Sequence, residues 1–507
     1  MKKSSLLRII IFLTGICVRG TFLLHPVDTE SWREADVSTI AKNFYQNGTD
    51  IFHPQINYGG SGPGYVESEF QIYSYLVAIS YKIFGFWEPI GRIISFLFSL
   101  ATMIVFFRLC KYMFNIKTAL ATSFFFSLSP ILMVVSVAIQ PESAMFFFYV
   151  CSGYTFIRWL DNESKTYFWL AILFTALALL CKITAANIGI FFVILIIVKK
   201  GWRFLYKPKV LVLGALSIIP SILWYSYGHS FYVLYGNSLG LSNENPWIGW
   251  DFFTSRHLIT GLIKIELFNV WTKTGPFIII LALLFTKVIK KENFLFGLYW
   301  YFSAFVFYII TSRTTAENWA WYYHIFSIPG ASILLGISAI ELYDKFFPKI
   351  HLRGKAVINK LNLYKSRAIV FFTIIFVSFF IISCFIYLDK TKPVIYQTSQ
   401  YYVCMDSLKK IIPENSLILT NGGPATDKLG YSLAIQIGYF FYWLNRRGYS
   451  ISVEDLSLNN IAGFKNKGAN FFVAEERFLQ KKPGLEDELK KKFNTVFECN
   501  GCIVFKL

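Results

Sequence analysis

The stretch 89-PIGRIISFLFSLATMIVFFRLCKYMFNIKTALATSFFFSLSPILMVVSVAIQPESAMFFFYVCSGYTFIRWLDNESK-165 decides the fold. Three apolar runs follow one another in it. They are separated first by Arg108, Lys111 and Lys117, then by Gln140, Pro141 and Glu142, and the third ends on Arg158 and Lys165. Runs near the roughly 20 residues that cross a hydrocarbon core read as membrane spans. Because Lys and Arg collect in cytoplasmic connections, the alternation also gives direction. The run from Pro89 to Phe107 goes inward, the next exits near Ala138, and the turn at Glu142 lies on the outer face.

The same parity holds on both sides of this stretch. Lys2, Lys3 and Arg8 precede a span from about Leu6 to Leu24, and the polar loop from His25 to about Glu69 then lies outside. The apolar segment Ile72 to Phe86 is short, and counting it as a span would invert every later connection, so an interfacial or re-entrant helix is expected there. Further on, the hairpin from Tyr167 to Val198 returns to Lys199, Lys200, Arg203, Lys207 and Lys209. A span from about Val210 to Tyr227 leads to a second outer loop, Gly228 to Lys273, and the next return reaches Lys287, Lys290 and Lys291. One more crossing gives the outer segment Ser312 to His324. The chain then comes back to Lys345, Lys349, Arg353, Lys355, Lys360, Lys365 and Arg367 before a last span, Ala368 to Leu388. The expectation is a mostly α polytopic membrane domain of about eleven spans over residues 1–390, with an external loop at 25–70. A small soluble, external α/β domain follows over residues 391–507.

Composition agrees with this reading. Hydrophobic residues make up 55% of the 507, and mean hydropathy is +0.49, too apolar for a chain whose surface faces water. The net charge of +19 would point to nucleic acid in a soluble protein, but most of it sits beside span ends, so it reports topology and no nucleic-acid partner. In the C-terminal region, Ser416 to Leu419 and Asn470 to Ala474 read as short buried strands. Val496–Cys499 and Cys502–Leu507 flank Asn500-Gly501, which favours a two-residue hairpin turn. Cys499 and Cys502 should then face each other across the turn, with Cys404 also outside, as a disulfide or as free thiols. The other five cysteines, Cys17, Cys110, Cys151, Cys181 and Cys384, fall within or beside spans as small hydrophobes.

The spans are almost free of acidic residues, so function is sought in the outer loops. Ser31 to Gln46 has Val37, Ile40, Ala41 and Phe44 at helical spacing, with Arg33, Asp36 and Lys42 on other faces. Such a helix would lie along the membrane surface and hold Asp36 where a carboxylate can meet a lipid-borne phosphate ester and a water-borne acceptor; a surface helix with solvated charges is the alternative. Gly59-Gly-Ser-Gly-Pro-Gly64 reads as a flexible turn, and no nucleotide-binding glycine motif occurs in a strand-turn-helix setting.

These residues carry a family resemblance. Trp32-Arg-Glu-Ala-Asp36, Ile40-Ala-Lys-Asn-Phe44, the Pro54-Gln-Ile56 step and Glu69-Phe70 resemble the first external loop of the polyprenyl-phosphate-sugar glycosyltransferases related to protein O-mannosyltransferases. The lipid A aminoarabinose transferase belongs to the same broad class. The resemblance implies a GT-C membrane fold, a donor sugar carried on a polyprenyl (undecaprenyl or dolichyl) phosphate, and an inverting transfer to a protein, glycolipid or glycan acceptor. It implies Asp36 as the catalytic carboxylate, with Asp28 and Glu30 as alternatives, because the paired Asp-Glu that many members carry is spread here over Asp28, Glu30, Glu34 and Asp36. Glu69 matches the acid that orients the donor or helps hold a divalent metal ion, and Glu142 matches a second acid, against the plainer reading of a helix N-terminal acid. Lys182, with Arg33, would bind the leaving phosphate, against simple snorkelling of Lys182. Trp319, Trp321, Tyr322, Tyr323 and His324 match an aromatic patch suited to a sugar, against an interfacial belt. Rival readings are a lipid-linked glycan flippase and an oligosaccharide ligase. The richness in Lys, Ile, Phe and Asn points to a bacterial cell membrane, with the catalytic face outside.

Overall fold

The computed structural model describes residues 12–17, 19–20, 23–29, 31–243, 246–346, 378, 381–382, 384, 398–426, 430 and 433–507. About half of the expected first span, most of the expected last span, the basic residues from Lys349 to Arg367, Glu30, and the expected domain boundary at 390 lie outside the described residues.

The polar outer loop folds into α1 (Trp32–Asn47), capped by the Ser31 hydroxyl, which accepts from the Glu34 amide at 3.3 Å. The short apolar segment is α2 (Ile72–Phe84), 13 residues long. The membrane part continues with α3 (Pro89–Met113), α4 (Ile116–Ser127), α5 (Glu142–Asn162), α6 (Lys165–Cys181), α7 (Ile188–Lys200), α8 (Pro208–Tyr235), α9 (Arg256–Ile265), α10 (Gly275–Phe285), α11 (Glu292–Ile310) and α12 (Ile328–Phe346). Proline opens α3 and α8 at the first helical position, where its missing N–H costs nothing. Among the described residues, five helical stretches are long and apolar enough to cross a membrane: α3, α7 and α12 with the 3₁₀ turns that precede the last two, α8 and α11. A sixth results if α9 and α10 form one span, and these are bent by 88° at their break. The described helices thus support a polytopic chain without reaching the expected number of spans.

Two boundaries differ from the sequence reading. Helix α8 runs on to Tyr235, past the expected end at Tyr227, and the second outer loop is partly helical. In that loop α9 passes into a π-helical turn, Glu266–Val270.

The C-terminal region holds α13 (Met405–Ile411), β1 (Leu417–Asn421), α14 (Gly438–Leu444), β2 (Gly448–Ile451), α15 (Leu458–Asn466), β3 (Ala469–Glu475), α16 (Leu485–Lys492), β4 (Asn494–Cys499) and β5 (Cys502–Lys506). The sheet order is β2-β1-β3-β5-β4, with β1 parallel to β2 and β3, and β5 antiparallel to β3 and β4. Asn500 and Gly501 both take positive φ, 46° and 78°, and make the expected hairpin turn. Cys499 and Cys502 are opposite each other, but Cys499 is bonded to Cys404 and Cys502 stays free and buried.

This domain is seated on the first outer loop. The Ser399 amide and hydroxyl donate to Asp28 at 2.6 and 2.5 Å, the Trp443 indole donates to the Val27 carbonyl at 2.7 Å, and the Tyr442 hydroxyl donates to Glu88 at 2.7 Å. The glycine-rich turn supplies a socket: the Gly60 amide donates to the Gly448 carbonyl at 2.7 Å, and a Cβ on Gly60 would sit 2.7 Å from the Tyr449 ring. Helix α1 is therefore sandwiched between α2 and α14, and Arg33, Asp36, Ser38, Thr39 and Asn43 are buried along with its apolar residues. It does not lie on a membrane surface with a solvated polar face.

The disulfide closes a loop of 95 residues. Loop-closure entropy assigns such a link about 4 kcal/mol. Cys499→Ser in the full chain is expected to speed proteolysis of the C-terminal domain, as reductant does to wild type; equal cleavage rates would contradict the structural role.

Candidate active site

Distant segments meet at the end of the helices where the first loop lies. The strand-like segment before α2 is fixed by the Phe70 amide, which donates to the Leu180 carbonyl at 3.0 Å, and by the Trp224 indole, which donates to the Ser68 carbonyl at 2.9 Å. These bonds place Glu69 against Arg33 of α1, and the two form a buried ion pair. Across the cleft, Glu142 at the start of α5 pairs with Lys182 just after α6, again with both side chains buried. Lys182 Nζ also lies over the rings of Tyr322 and Tyr323, 5.0 and 4.5 Å from their centroids. The cleft is lined by Arg33, Glu69, Lys182, Tyr322 and Tyr323, with Trp32, Trp247 and Trp319 around them and Leu239–Leu241 closing one side.

Glu142 is the first residue of α5 after Pro141, as the plainer reading has it, but it is buried and paired with Lys182, which does not reach out to an interface. Burial opposes the charge on Arg33, but Glu69 and Glu142 hold its guanidinium above its ordinary range.

The acids of the first loop separate by partner. Asp28 accepts from Ser399, and Glu34 is paired with Arg92 at 2.9 Å. Glu30 lies outside the described residues. Asp36 is 1% exposed, and neither carboxylate oxygen has a hydrogen-bond partner. Burial pushes its carboxyl up to about 7, while Arg33 and the Tyr58 hydroxyl pull the other way. Asp36 follows Arg33 by one helical turn but does not line the cleft; it is covered by Gly438, where a Cβ would come within 2.6 Å of its Oδ1.

His324 is not brought to the cleft. Its Nδ1 meets Glu266 at 2.5 Å and its Nε2 meets the Thr315 carbonyl at 2.9 Å, in a buried network with Ser327. Glu69 was expected as a metal ligand, but its carboxylate is engaged by Arg33, and among the described residues no three His, Cys, Asp or Glu side chains gather. This donor set does not fit a divalent cation held by side chains of the described residues alone.

Beside the cleft, Phe52, Phe70, Leu180, Pro220, Leu223, Trp224 and Tyr227 form an apolar groove of about 400 Å³. Phe70 and Leu180 connect it by chain to Glu69 and Lys182. The groove, Trp247, Tyr58, Gln436 and Gly438 carry no motif that a sequence reading could use. In the sequence they look like ordinary span and loop residues.

The pH dependence of stability follows from Asp36. Its folded pKa is raised, so between about pH 4 and 7 the folded chain holds a proton that the unfolded chain has released. Stability from this group is present below that window, lost as pH rises through it, and level above, a change on the order of 4 kcal/mol. Asp36→Asn should remove the slope and melt higher than wild type at pH 8 but not at pH 4; parallel melting curves at both pH values would contradict the raised pKa.

Comparison with known proteins adds the fold. A family model described as dolichyl-phosphate-mannose-protein mannosyltransferase matches residues 71–225, which include Glu142 and Lys182 but stop short of Arg33, Asp36 and Glu69. No curated protein matches by sequence. ArnT from Cupriavidus metallidurans bound to undecaprenyl phosphate is similar with a TM-score of 0.62 and 12% identity, covering 98% of this chain and 97% of that one. The apo oligosaccharyltransferase of Archaeoglobus fulgidus is similar with a TM-score of 0.59 and 12% identity, covering 94% of this chain and 70% of that one. The chain thus carries the dolichyl-phosphate-mannose-protein mannosyltransferase model over residues 71–225 and, over nearly all its length, the GT-C fold of these glycosyltransferases.

Proposed function

We propose that this chain is a membrane glycosyltransferase that moves a sugar from a polyprenyl-phosphate donor to an acceptor of the bacterial cell envelope. The observation that carries the reading is the pair of buried cations, Arg33 and Lys182, set at the outer helix ends beside an apolar groove. A donor of this kind has an apolar chain, a phosphate and a sugar, and the structure offers a matching surface for each. The groove from Phe52 to Tyr227 takes the chain. Arg33 and Lys182 take the phosphate, with Glu69 and Glu142 keeping both cations charged while the site is empty of substrate. Tyr322, Tyr323, Trp32, Trp247 and Trp319 offer ring faces to the sugar.

Transfer then needs a base and a stabilised leaving group. Asp36 accepts the proton of the acceptor hydroxyl, and a carboxyl held near 7 is suited to that at neutral pH. As the bond from the anomeric carbon to the phosphate oxygen breaks, negative charge grows on the phosphate. Arg33 and Lys182 stabilise it in a site largely shielded from water. Attack from the side opposite the phosphate gives inversion. The basic connections support an orientation with this face outside the cytoplasm.

The test is reconstituted transfer from a short-chain polyprenyl-phosphate sugar. Asp36→Asn is expected to lower turnover at least about 100-fold. Turnover equal to wild type would remove Asp36 as base, and no consumption of any such donor by wild type, with envelope extract as acceptor, would overturn the donor reading. In the same preparation, Lys182→Met should weaken binding of undecaprenyl phosphate about tenfold or more, the loss of one charge-assisted contact; unchanged binding would place the phosphate elsewhere.

A further inference from the structure

Four buried polar atoms at the seam between the first outer loop and the C-terminal domain have no hydrogen bond of good geometry: both carboxylate oxygens of Asp36, the Tyr58 hydroxyl and the Gln436 amide nitrogen, although the hydroxyl is near enough to Asp36 and to Gln436 to interact weakly with each. They belong to one place. Tyr58 acts on the charge of Asp36, and the Gln436 amide sits beside the Tyr58 hydroxyl. The Tyr58 ring packs against Phe441 of α14 at 5.8 Å, and Gln436 precedes that helix by two residues. Leaving each such group unpaired costs about 1–3 kcal/mol, so a fold that gathers them has a use for them. Their chemistry is complementary to one small group. A hydroxyl can donate to the carboxylate and accept from the amide, with the phenol able to do either.

We propose that Tyr58 and Gln436 are positioning residues that, with Asp36, hold the reacting hydroxyl of the acceptor, so that the C-terminal domain completes the active site. Gly438 belongs to the same device. A Cβ there would meet Asp36 Oδ1 at 2.6 Å and the Ala35 Cβ at 3.2 Å, so glycine is what lets α14 pack this closely over the carboxylate. The proposal rests on the reading of Asp36 as base. The step balances: the acceptor O–H proton passes to Asp36, the oxygen bonds to the anomeric carbon, and the electron pair of the broken C–O bond leaves with the phosphate. The titratable groups acting on Asp36 are Arg33, from its own helix, and Tyr58; no group of α2 or α14 is among those that shift it.

The experiment uses Tyr58→Phe and Gln436→Leu in the full chain, reconstituted in nanodiscs. Each variant deletes a buried, poorly satisfied polar atom, so each should melt at or above the wild-type temperature at about pH 4, where Asp36 is protonated. Undecaprenyl phosphate binding should stay within twofold of wild type, and turnover of the polyprenyl-phosphate sugar with envelope extract should fall about tenfold. Removing the Tyr58 hydroxyl should also move the pH midpoint of stability upward, because that hydroxyl favours the ionised carboxylate. Wild-type turnover in both variants, or a loss of stability with an unchanged pH midpoint, would reduce the seam to packing and overturn the proposal. If wild type consumes no donor, the donor reading fails separately, and the midpoint of Tyr58→Phe decides the seam: an upward shift keeps it, and none sinks it.

Discussion

Two buried ion pairs, Arg33 with Glu69 and Lys182 with Glu142, hold the outer end of this molecule together. They tie α1 to the segment before α2, and the start of α5 to the end of α6. Removing one partner of such a pair leaves an uncompensated charge in a low-dielectric setting and costs about 3–5 kcal/mol. That cost explains why the cleft can keep two cations facing one space without a ligand. It also sets the condition on any ligand: it must satisfy the cations at least as well as the carboxylates do, which a phosphate flanked by both can.

The second constraint is the seat of the C-terminal domain. Its contacts with Asp28, Val27 and Glu88, and with the glycine turn at Gly60, press α14 onto α1. Without that pressure α1 would expose Asp36 to water and its carboxyl would return towards the ordinary range. The domain is thus electrostatically part of the site even though its nearest residue, Gly438, has no side chain. Arg92 supports the same loop from below, donating to the carbonyls of His25, Pro26 and Val137 as well as pairing with Glu34.

Loop parity made the polytopic character of the chain legible, because charge beside apolar runs is a local signal. It put Glu142 and Lys182 on the same face as the first loop, and the structure joins them there. The hairpin at Asn500-Gly501 was readable for the same reason, since two residues define its turn. What local pattern could not supply was partnership across long separations. Asp36 meets Gly438, the glycine turn meets Tyr449, and Cys499 chooses Cys404 over the cysteine facing it. The aromatic patch shows a subtler limit. Asn318–Ser327 is a 3₁₀ helix, whose tighter winding a reading at the α-helical period does not anticipate. Tyr322 and Tyr323 reach Lys182, whereas His324 turns to Glu266, a residue read from sequence as part of an outer loop and found buried at a helix break.

The central claim is that Arg33 and Lys182 form a phosphate site continuous with the apolar groove. The direct measurement is an experimental structure of the full chain with undecaprenyl phosphate in nanodiscs. The account requires the phosphate within hydrogen-bond distance of both cations and the polyprenyl chain along Phe70, Leu180 and Trp224. A phosphate bound elsewhere, with the Arg33–Glu69 and Lys182–Glu142 pairs undisturbed, would contradict it.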